Sequence, residues 1–345
     1  MHLREPTEED TIDALRHPGI WPVRTRSVEV VRTHFARVFL TDEHAFKMKR
    51  PVVWHDVDLT SVESRRAACE REVALNRPLA GEVYQGTIAL RQTDDGTLSF
   101  AAEGRPVEWL VQMRRLPAAC ALDHRIERGR VDSRDVDRIA ESLAAFYSRS
   151  SPVEHDPVRH LARLARSIDA DLQTLREGVD GVPGAIVDAI AHEQREFLGR
   201  RAELLADRVR EGRVVEAHGD LRPEHVYLLE RPVVIDRLEL DGDLRMLDAL
   251  SDLVFLALEC ERLGAPQVGV RVIARYCAIT GDTADPGLVR FYRIQHACTR
   301  AKLAVWHLGD PGPRGAEAWA AKARDYLRRA SQPYEIEQPE RRSHG

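Results

Sequence analysis

The sequence of 345 residues predicts an α+β protein made of two lobes, and three patterns lead to this prediction. Residues 28–113 contain several short runs rich in β-branched residues and a single long helical pattern. Residues 131–331 are dominated by long stretches in which apolar residues recur at helical spacing. Among these helices, residues 213–235 form a strand-rich island. We therefore predict a first lobe with an antiparallel sheet and one helix, and a mainly helical second lobe with a small β-ribbon.

The elements of the first lobe are separated by turn signals. An amphipathic helix is predicted at residues 8–16. A longer helix is predicted at 61–79, where Pro78 is expected to stop it because proline cannot continue the hydrogen-bond ladder. Asp94-Asp95-Gly96 predicts a hairpin turn between two strands. The predicted strands cover residues 28–33, 37–40, 45–49, 83–90, 98–102 and 107–113.

The second lobe is expected to begin near residues 116–119, and a cleft between two lobes is a natural ligand site. The predicted helices cover residues 131–147, 155–176, 184–211, 248–263, 266–280, 286–308 and 315–331. The predicted strands of the island cover residues 213–217, 226–229 and 233–235. The resulting domain prediction is an N-terminal extension at 1–26, a first lobe at 27–116, a second lobe at 117–333 and a disordered tail at 334–345.

Composition narrows the class of protein. The net charge of −5 and the pI near 6.3 argue against a dedicated nucleic-acid binder, which normally carries a basic face. No apolar run approaches the ~20 residues that span a bilayer, so no membrane partner is predicted. The N-terminus lacks the hydrophobic stretch of a signal peptide, and we expect a cytoplasmic protein. The five cysteines form no CxxC motif, which argues against a disulfide framework or a zinc site. The oligomeric state stays open.

The island carries the residues that indicate chemistry. It reads His-Gly-Asp-Leu-Arg-Pro-Glu-His over residues 218–225, and Val-Val-Ile-Asp follows over 233–236. Asp220 precedes the predicted β-ribbon and Asp236 ends its second strand, so both carboxylates are expected at one end of the ribbon. Phosphoryl transfer from ATP needs such a pair, because one carboxylate orients the substrate hydroxyl and another holds Mg²⁺ on the phosphates. The structural alternative is a simple turn and a strand cap.

The string at 218–225 resembles the catalytic loop of the protein-kinase-like superfamily, and its His-Gly-Asp form resembles the aminoglycoside phosphotransferase and choline kinase branch. The resemblance extends from about residue 28 to residue 326 and implies a protein-kinase-like two-lobed fold. Segments similar to the kinase-like domain that bacterial proteins often fuse to a P-loop ATPase lie at residues 34–40, 45–52, 69–77 and 108–117. No GxxxxGK[ST] motif occurs, so we expect a stand-alone kinase-like unit.

The resemblance implies a nucleotide-binding set in the first lobe. Lys47 would contact the α- and β-phosphates, and Lys49, on the same face of its strand, is the alternative. Glu72 on the following helix would pair with Lys47 and fix its ammonium group. The strand that contains Met113 would supply backbone groups to the adenine. The structural alternatives are solvated strand lysines and an exposed helical glutamate.

The resemblance also implies a catalytic set in the second lobe. Asp220 would be the catalytic base or the carboxylate that orients the substrate. Arg222 would neutralise charge on the transferred phosphoryl group, or merely pair with Glu224. His218 and Asp252 would give structural support to the catalytic loop, although Asp252 can also be read as a helix cap.

The metal site departs from the family pattern. Asp236 would be the main metal ligand, but His225 stands where most active members carry Asn as a second ligand. Imidazole can ligate a metal but suits Mn²⁺ or Zn²⁺ better than Mg²⁺, so three alternatives stay open: His225 keeps the metal site, shifts its preference or marks a weakened site. Arg237 follows Asp236 in place of the Phe-Gly of protein kinases, which argues against their activation switch.

The function predicted from these residues is transfer of the γ-phosphoryl group of ATP to a hydroxyl of a small molecule, with Mg²⁺ as the metal and Mn²⁺ as its alternative. The two rival hypotheses are a nucleotide-binding pseudokinase or scaffold and an AMP-transferring enzyme of the same fold. The acceptor carries no readable motif. An acidic cluster at 241–243 could bind a cationic substrate such as an aminoglycoside, although it can equally be a solvated turn.

Overall fold

The structure is a computed structural model that describes residues 4–33, 35–54, 57–152, 156–179, 181–239, 242–309 and 315–333. The chain divides into two compact units. The first unit comprises Met1–Arg125 with Glu224–Leu244, and the second comprises Ile126–Pro223 with Arg245–Gly345. The predicted tail at 334–345 lies outside the described residues, and the predicted domain boundaries stay predictions.

Most strands lie in the first part of the chain and most helices in the second, as the sequence pattern indicates. In chain order they are α1 (Glu8–Arg16), β1 (Glu29–Arg32), β2 (Ala36–Leu40), β3 (His44–Lys49), β4 (Val53–Trp54), β5 (Val57–Asp58), α2 (Val62–Ala80), β6 (Tyr84–Gln92), β7 (Leu98–Ser99), β8 (Arg105–Arg114), α3 (Leu122–Glu127), α4 (Ser133–Arg149), α5 (Pro157–Arg176), α6 (Gly184–Arg200), α7 (Ala202–Arg210), β9 (Val214–Glu216), β10 (Val226–Tyr227), β11 (Val233–Val234), β12 (Met246–Asp248), α8 (Ala249–Arg262), α9 (Pro266–Thr280), α10 (Pro286–Trp306) and α11 (Ala316–Ser331).

The first unit is built on a six-stranded sheet with the strand order β1-β2-β3-β8-β6-β7. All neighbouring strands in it are antiparallel. Strands β10 and β11 form the predicted antiparallel ribbon, but the ribbon belongs to this first unit and not, as predicted, to the mainly helical part of the chain. The α+β class, with an antiparallel sheet followed by a mainly helical region, is therefore confirmed.

Strand β3 separates an apolar face from a charged one, as alternation along a strand requires. Phe46 and Met48 are buried in a cluster that also contains Trp21, Phe39, Leu90 and Leu110. Ala45 belongs to a different cluster, which contains Cys69 and Val73 of α2. Lys47 and Lys49 share the face of Ala45, so both lysines point toward α2.

Helix α2 shows one wrong prediction. Pro78 lies inside the helix, which continues to Ala80 and ends at Gly81 with φ of +55°. The backbone N–H of Gly81 donates to the carbonyl of Arg77. Proline in the last turn removes only one hydrogen bond, and the helix ends instead at Gly81, whose positive φ is accessible to glycine without strain.

The helical region differs from the prediction at two further places. The pattern at 184–211 is two helices, α6 and α7, separated at Arg201, whose backbone leaves the helical region with φ of −118° and ψ of 24°. Strand β12 was not predicted, and it pairs antiparallel with β9 in the second unit. Three residues are too few to produce a readable alternation, so no sequence signal identified this strand.

Candidate active site

The predicted site residues fall into two groups, one in each unit. In the first unit we define the lysine–carboxylate cluster as Lys47, Lys49, Glu72, Asp236 and Glu239. In the second unit we define the catalytic-loop group as His218, Asp220, Arg222 and Asp252. Glu239 was not among the predicted residues.

Glu72 connects the two lysines of the cluster. The ammonium of Lys47 donates to Glu72 Oε1 at 2.9 Å, and that of Lys49 donates to Glu72 Oε2. Each lysine also has a second carboxylate partner. Lys47 donates to Asp236 Oδ1 at 2.6 Å, and Lys49 donates to Glu239. The structure therefore brings together the lysine, the helical glutamate and the aspartate that the sequence singled out.

The two lysines differ in access. The Lys49 side chain is 1% exposed and is enclosed by two buried carboxylates, Glu72 and Glu239. The Lys47 side chain is 13% exposed, and its second partner Asp236 is 40% exposed. Lys47 is therefore the lysine that a ligand can reach, whereas Lys49 neutralises buried charge.

The electrostatics favour the charged forms of Lys47, Asp236 and Glu239. Burial disfavours the charged forms, but the attraction of Asp236 and Glu72 raises the pKa of Lys47 well above its ordinary value. Burial likewise opposes ionisation of Asp236, but Lys47 outweighs it and holds the pKa of Asp236 below its usual range. The pKa of Glu239 is lowered by Lys49 against the same cost of burial. Two ammonium groups thus face three carboxylates, which leaves one surplus negative charge.

Asp236 is held in a strained backbone conformation. Its φ of +61° is the only positive value at a non-glycine residue in the described part of the chain. The N–H of Asp236 donates to the hydroxyl of Tyr84 at 3.1 Å, and the next N–H, of Arg237, donates to Asn76 Oδ1 at 2.9 Å. Arg237 is buried and also donates to the carbonyl of Leu75 at 3.2 Å. Strain fixed by its surroundings is typical of functional positions.

The β-ribbon brings His225 next to Asp236. The N–H of Ile235 donates to the carbonyl of His225 at 2.9 Å, and His225 Nε2 lies 3.5 Å from Asp236 Oδ2. Among the described residues no group of three or more His, Cys, Asp or Glu side chains is arranged to hold a metal ion. Asp236 and His225 would be the side chains that hold a divalent ion here. Two protein ligands suit Mg²⁺, which completes its shell with phosphate oxygens and water.

Met113 lies in the middle of the sheet. On β8 it pairs with Ala45 of β3 and Tyr84 of β6, and its side chain is buried in the same cluster as Cys69. Its predicted backbone contact with adenine stays a prediction.

The catalytic-loop group is organised around Asp252, which is fully buried on α8. Its carboxylate accepts hydrogen bonds from the N–H of His218 at 2.8 Å, the N–H of Gly219 at 3.2 Å and the hydroxyl of Tyr147 at 2.8 Å. Gly219 has φ of +83°, a conformation that glycine adopts without strain. Asp252 thus fixes the backbone immediately before Asp220.

Asp220 has two arginine neighbours. Arg222 Nε donates to Asp220 Oδ2 at 3.1 Å, and Arg300 Nη1 lies 3.6 Å from Asp220 Oδ1. The N–H of Asp220 donates to His218 Nδ1 at 3.3 Å. Arg300 comes from α10 and was not predicted. Asp220 is 24% exposed, so its carboxylate is accessible while both oxygens face positive charge.

Comparison with solved structures identifies the fold. The chain is similar to an aminoglycoside 2'-phosphotransferase described as a GDP complex, with a TM-score of 0.53, 16% identity and coverage of 94% of this chain and 99% of that one. A choline/ethanolamine kinase family protein from Mesorhizobium loti gives a TM-score of 0.52 at 18% identity, covering 93% and 97% of the two chains. A choline kinase from Streptococcus pneumoniae gives 0.52 at 15% identity, covering 88% and 94%.

The chain has the protein-kinase-like fold of aminoglycoside phosphotransferases and choline kinases. This confirms the resemblance and the fold class inferred from the sequence. The same fold places Lys47 on the third strand of the sheet and Glu72 on the helix that follows, and these are the positions that the resemblance assigns to nucleotide binding.

Curated relatives of this kinase-like chain are uncharacterized proteins of Mycobacterium tuberculosis and Mycobacterium bovis, which are 34% identical over 317 residues. The match covers 91% of this chain but 61% of the relatives, so the chain spans about three-fifths of their length. No family model matches the chain. The expected absence of a fused ATPase stays a prediction.

One further finding concerns the helices of this kinase-like chain. None of those in the described residues combines the length and the apolar character needed to cross a bilayer.

Proposed function

We propose that the protein is a phosphotransferase that moves the γ-phosphoryl group of ATP to a hydroxyl of a small molecule. The observation that carries this proposal is the link made by Lys47 between Glu72 and Asp236, at 2.9 and 2.6 Å. Phosphoryl transfer in this fold class depends on such a lysine–glutamate pair together with a metal-binding aspartate.

The lysine–carboxylate cluster would bind the phosphates and the metal. Lys47 is the accessible lysine, so a phosphate oxygen can replace Asp236 as its partner. Asp236 is then the surplus carboxylate, and with His225 it would hold a divalent cation that neutralises charge on the phosphates. An imidazole ligand favours Mn²⁺ over Mg²⁺, so the choice between these ions is part of the proposal.

The catalytic-loop group would act on the acceptor. Asp220 accepts a hydrogen bond from the acceptor hydroxyl and orients its oxygen toward the γ-phosphorus. The new bond joins that oxygen to phosphorus, the bond from phosphorus to the bridging oxygen of ADP breaks, and the hydroxyl proton leaves through Asp220 to water. Arg222, 3.1 Å from Asp220, would offset negative charge on the phosphoryl group in transit.

The first test measures nucleotide binding by thermal unfolding. ATP at about 100 times its Kd should add ~2.7 kcal/mol to the free energy of unfolding when Mg²⁺ or Mn²⁺ is present. Asp236→Asn should lose the metal-dependent part of this stabilisation. Asp94→Asn is the matched control, because it removes the same charge from an exposed turn of the same unit.

The second test identifies the transferred group by mass spectrometry of the acceptor. A phosphoryl adduct supports the proposal, whereas an AMP adduct supports the nucleotidyl-transferring alternative. Nucleotide binding without turnover for any metal and acceptor would support the pseudokinase alternative. GTP belongs in the same assay, since one structural neighbour is described as a GDP complex.

A further inference from the structure

Three helices of the second unit carry polar residues on the faces where they pack together. Residues three or four positions apart share one face of a helix. The polar residues concerned are Asp252, Glu259 and Arg262 on α8, His296 and Arg300 on α10, and Lys322 and Tyr326 on α11, and the apolar ring of Phe255 on α8 lies among them. A polar side chain buried at a helix interface costs free energy unless it has a hydrogen-bond or ion-pair partner.

Contacts connect this set of residues to Asp220. Arg300 lies 3.6 Å from Asp220 and 5.8 Å from the centre of the Phe255 ring. The Phe255 ring stacks on His296 with centroids 4.7 Å apart. These contacts continue the site from Asp220 into the three-helix interface.

Glu259 accepts hydrogen bonds from two other members of the same set. The hydroxyl of Tyr326 donates to Glu259 Oε1 at 2.6 Å, and Arg262 Nη1 donates to Glu259 Oε2 at 2.9 Å. The Arg262 guanidinium also lies 4.6 Å from the centre of the Tyr326 ring and donates to Asp325 at 3.2 Å. Both oxygens of Glu259 are therefore already occupied.

We define the basic patch as Arg222, Arg262, Arg300 and Lys322. Arg222 and Arg300 pair with Asp220, and Arg262 pairs with Glu259 and Asp325. Two of its donors have no partner within the described residues. The buried Nε of Arg300 makes no hydrogen bond, and the ammonium of Lys322 makes no ion pair, lying instead 5.3 Å from the Trp319 ring.

Given the proposed function, we propose that the hydroxyl acceptor is an anion, whose phosphate or carboxylate group binds Lys322 and Arg300 beside Asp220. Unpartnered cationic donors recognise oxyanions and repel a cationic acceptor such as choline. Burial and the neighbouring cations Arg300 and Arg262 lower the pKa of Lys322 to about 8, which is the cost that a bound anion would relieve. The sequence also suggested a cationic-substrate site at the acidic cluster 241–243, of which residue 241 lies outside the described residues.

The test uses Lys322 as its own reporter and needs no nucleotide. Limited acetylation with acetic anhydride at pH 8 is read lysine by lysine by peptide mass spectrometry, with the intact protein. The probes are glycerol 3-phosphate, glycerate, glycerol and choline, which differ in charge. The phosphate and carboxylate probes distinguish the two oxyanion sources. Lys302 is the internal control, because it is paired with Asp171.

We expect an anionic probe at about ten times its Kd to slow acetylation of Lys322 about tenfold, and to leave Lys302 unchanged. Arg300→Gln should remove most of this protection, and Arg300→Lys should keep part of it and the fold. Arg271→Gln is the matched control, because Arg271 pairs with Asp137 on α4. Protection in that variant should persist.

Protection by choline, or protection by none of the probes, overturns the anionic acceptor whatever the nucleotide tests give. Protection by an anion together with no phosphoryl transfer to any acceptor overturns the proposed function but leaves the anion site. Protection by glycerol equal to that by its phosphate ester shows that the charged group is not recognised, and this outcome also overturns the proposal.

Discussion

Asp236 in the first unit and Asp220 in the second both face two basic side chains, yet the groups around them differ in what is left without a partner. Asp236 belongs to a cluster of two lysines and three carboxylates, which leaves one carboxylate in surplus. Asp220 lies beside the basic patch, where among the described residues Lys322 makes no ion pair and the Nε of Arg300 makes no hydrogen bond. Charges without a partner attract ligands of the opposite sign. A metal ion would therefore suit the first region and an anion the second.

The two regions are also held in place by different forces. Buried ion pairs fix the first region, because Lys49, Glu72 and Glu239 are almost inaccessible to water. Hydrogen bonds from the backbone to one carboxylate, Asp252, fix the second. Removing a charged side chain should therefore lower stability most in the first region. In the second region, replacing the carboxylate of Asp220 should lower the rate and leave the stability unchanged.

The largest effect is expected at Asp236. Asp236→Asn should lower phosphoryl transfer by roughly 10⁴-fold, the range that a charge-stabilising group supplies in such reactions. Asparagine tolerates the left-handed backbone of this position, so the fold should be kept. The measurement is the initial rate as a function of Mg²⁺ and Mn²⁺ concentration. Unchanged metal dependence in the variant would show that Asp236 is not the ligand.

The next effect is expected at Asp220. Asp220→Asn should slow turnover roughly 10³-fold, because a positioned base contributes that order of magnitude. Nucleotide-induced stabilisation should remain, since Asp220 belongs to the second unit. Measuring the turnover rate and the thermal unfolding of the same preparation separates the loss of turnover from a loss of nucleotide binding. Retained turnover would contradict the assignment of Asp220 as the base.

The third prediction compares Lys49 with Lys47. Lys49→Met leaves buried Glu239 without its ion-pair partner and Glu72 with Lys47 alone, and it should lower the free energy of unfolding by about 3–5 kcal/mol. Lys47→Met should cost less, because Glu72 keeps Lys49 and Asp236 is accessible to water. Urea unfolding measures both. Equal losses would remove the distinction between a structural and a ligand-binding lysine.

The smallest effect is a pH dependence of acceptor binding, and it rests on the anion proposal. Lys322, with a pKa lowered to about 8, is charged below this pH and loses its charge above it. The KM of an anionic acceptor should therefore rise about three- to fourfold between pH 7 and pH 9, for a contact worth roughly 1 kcal/mol. The charged groups that act on Lys322 are Arg300, Arg262, Glu259 and Arg222.

The control for this pH profile is Lys322→Arg, which stays charged and should give a flat KM over the same range. His296 does not interfere, because burial lowers its pKa to about 4 and keeps the ring neutral. A rise in KM that persists in the arginine variant would assign the pH dependence to another group.

The fold and one part of the candidate site could be predicted from the sequence because they depend on local patterns. Alternation on β3 placed Lys47 and Lys49 on one face, and α2 begins and ends within one residue of its predicted bounds. The reading of Asp252 as a helix cap is wrong, because Asp248 caps α8. The island marked Asp220 and Asp236 by their spacing around a ribbon. The roles assigned to these residues stay predictions until activity is measured.

The rest of the site depends on packing between distant segments. Glu239, Arg300 and Lys322 lie in ordinary stretches of sequence, and helical periodicity does not reveal which partner a helix face will meet. Arg300 lies 80 positions after Asp220 in the chain, yet the two come within 3.6 Å. A contact of this kind leaves no local signal.

The shared carboxylate of Glu72 has a consequence for how this protein can change. Because one oxygen serves Lys47 and the other serves Lys49, the energies of the two lysines are coupled. A double-mutant cycle on the pair should be clearly non-additive, and substitutions at either lysine should be tolerated best when Glu72 changes too. Lys47, Lys49 and Glu72 should therefore change together, rather than one at a time, among related chains.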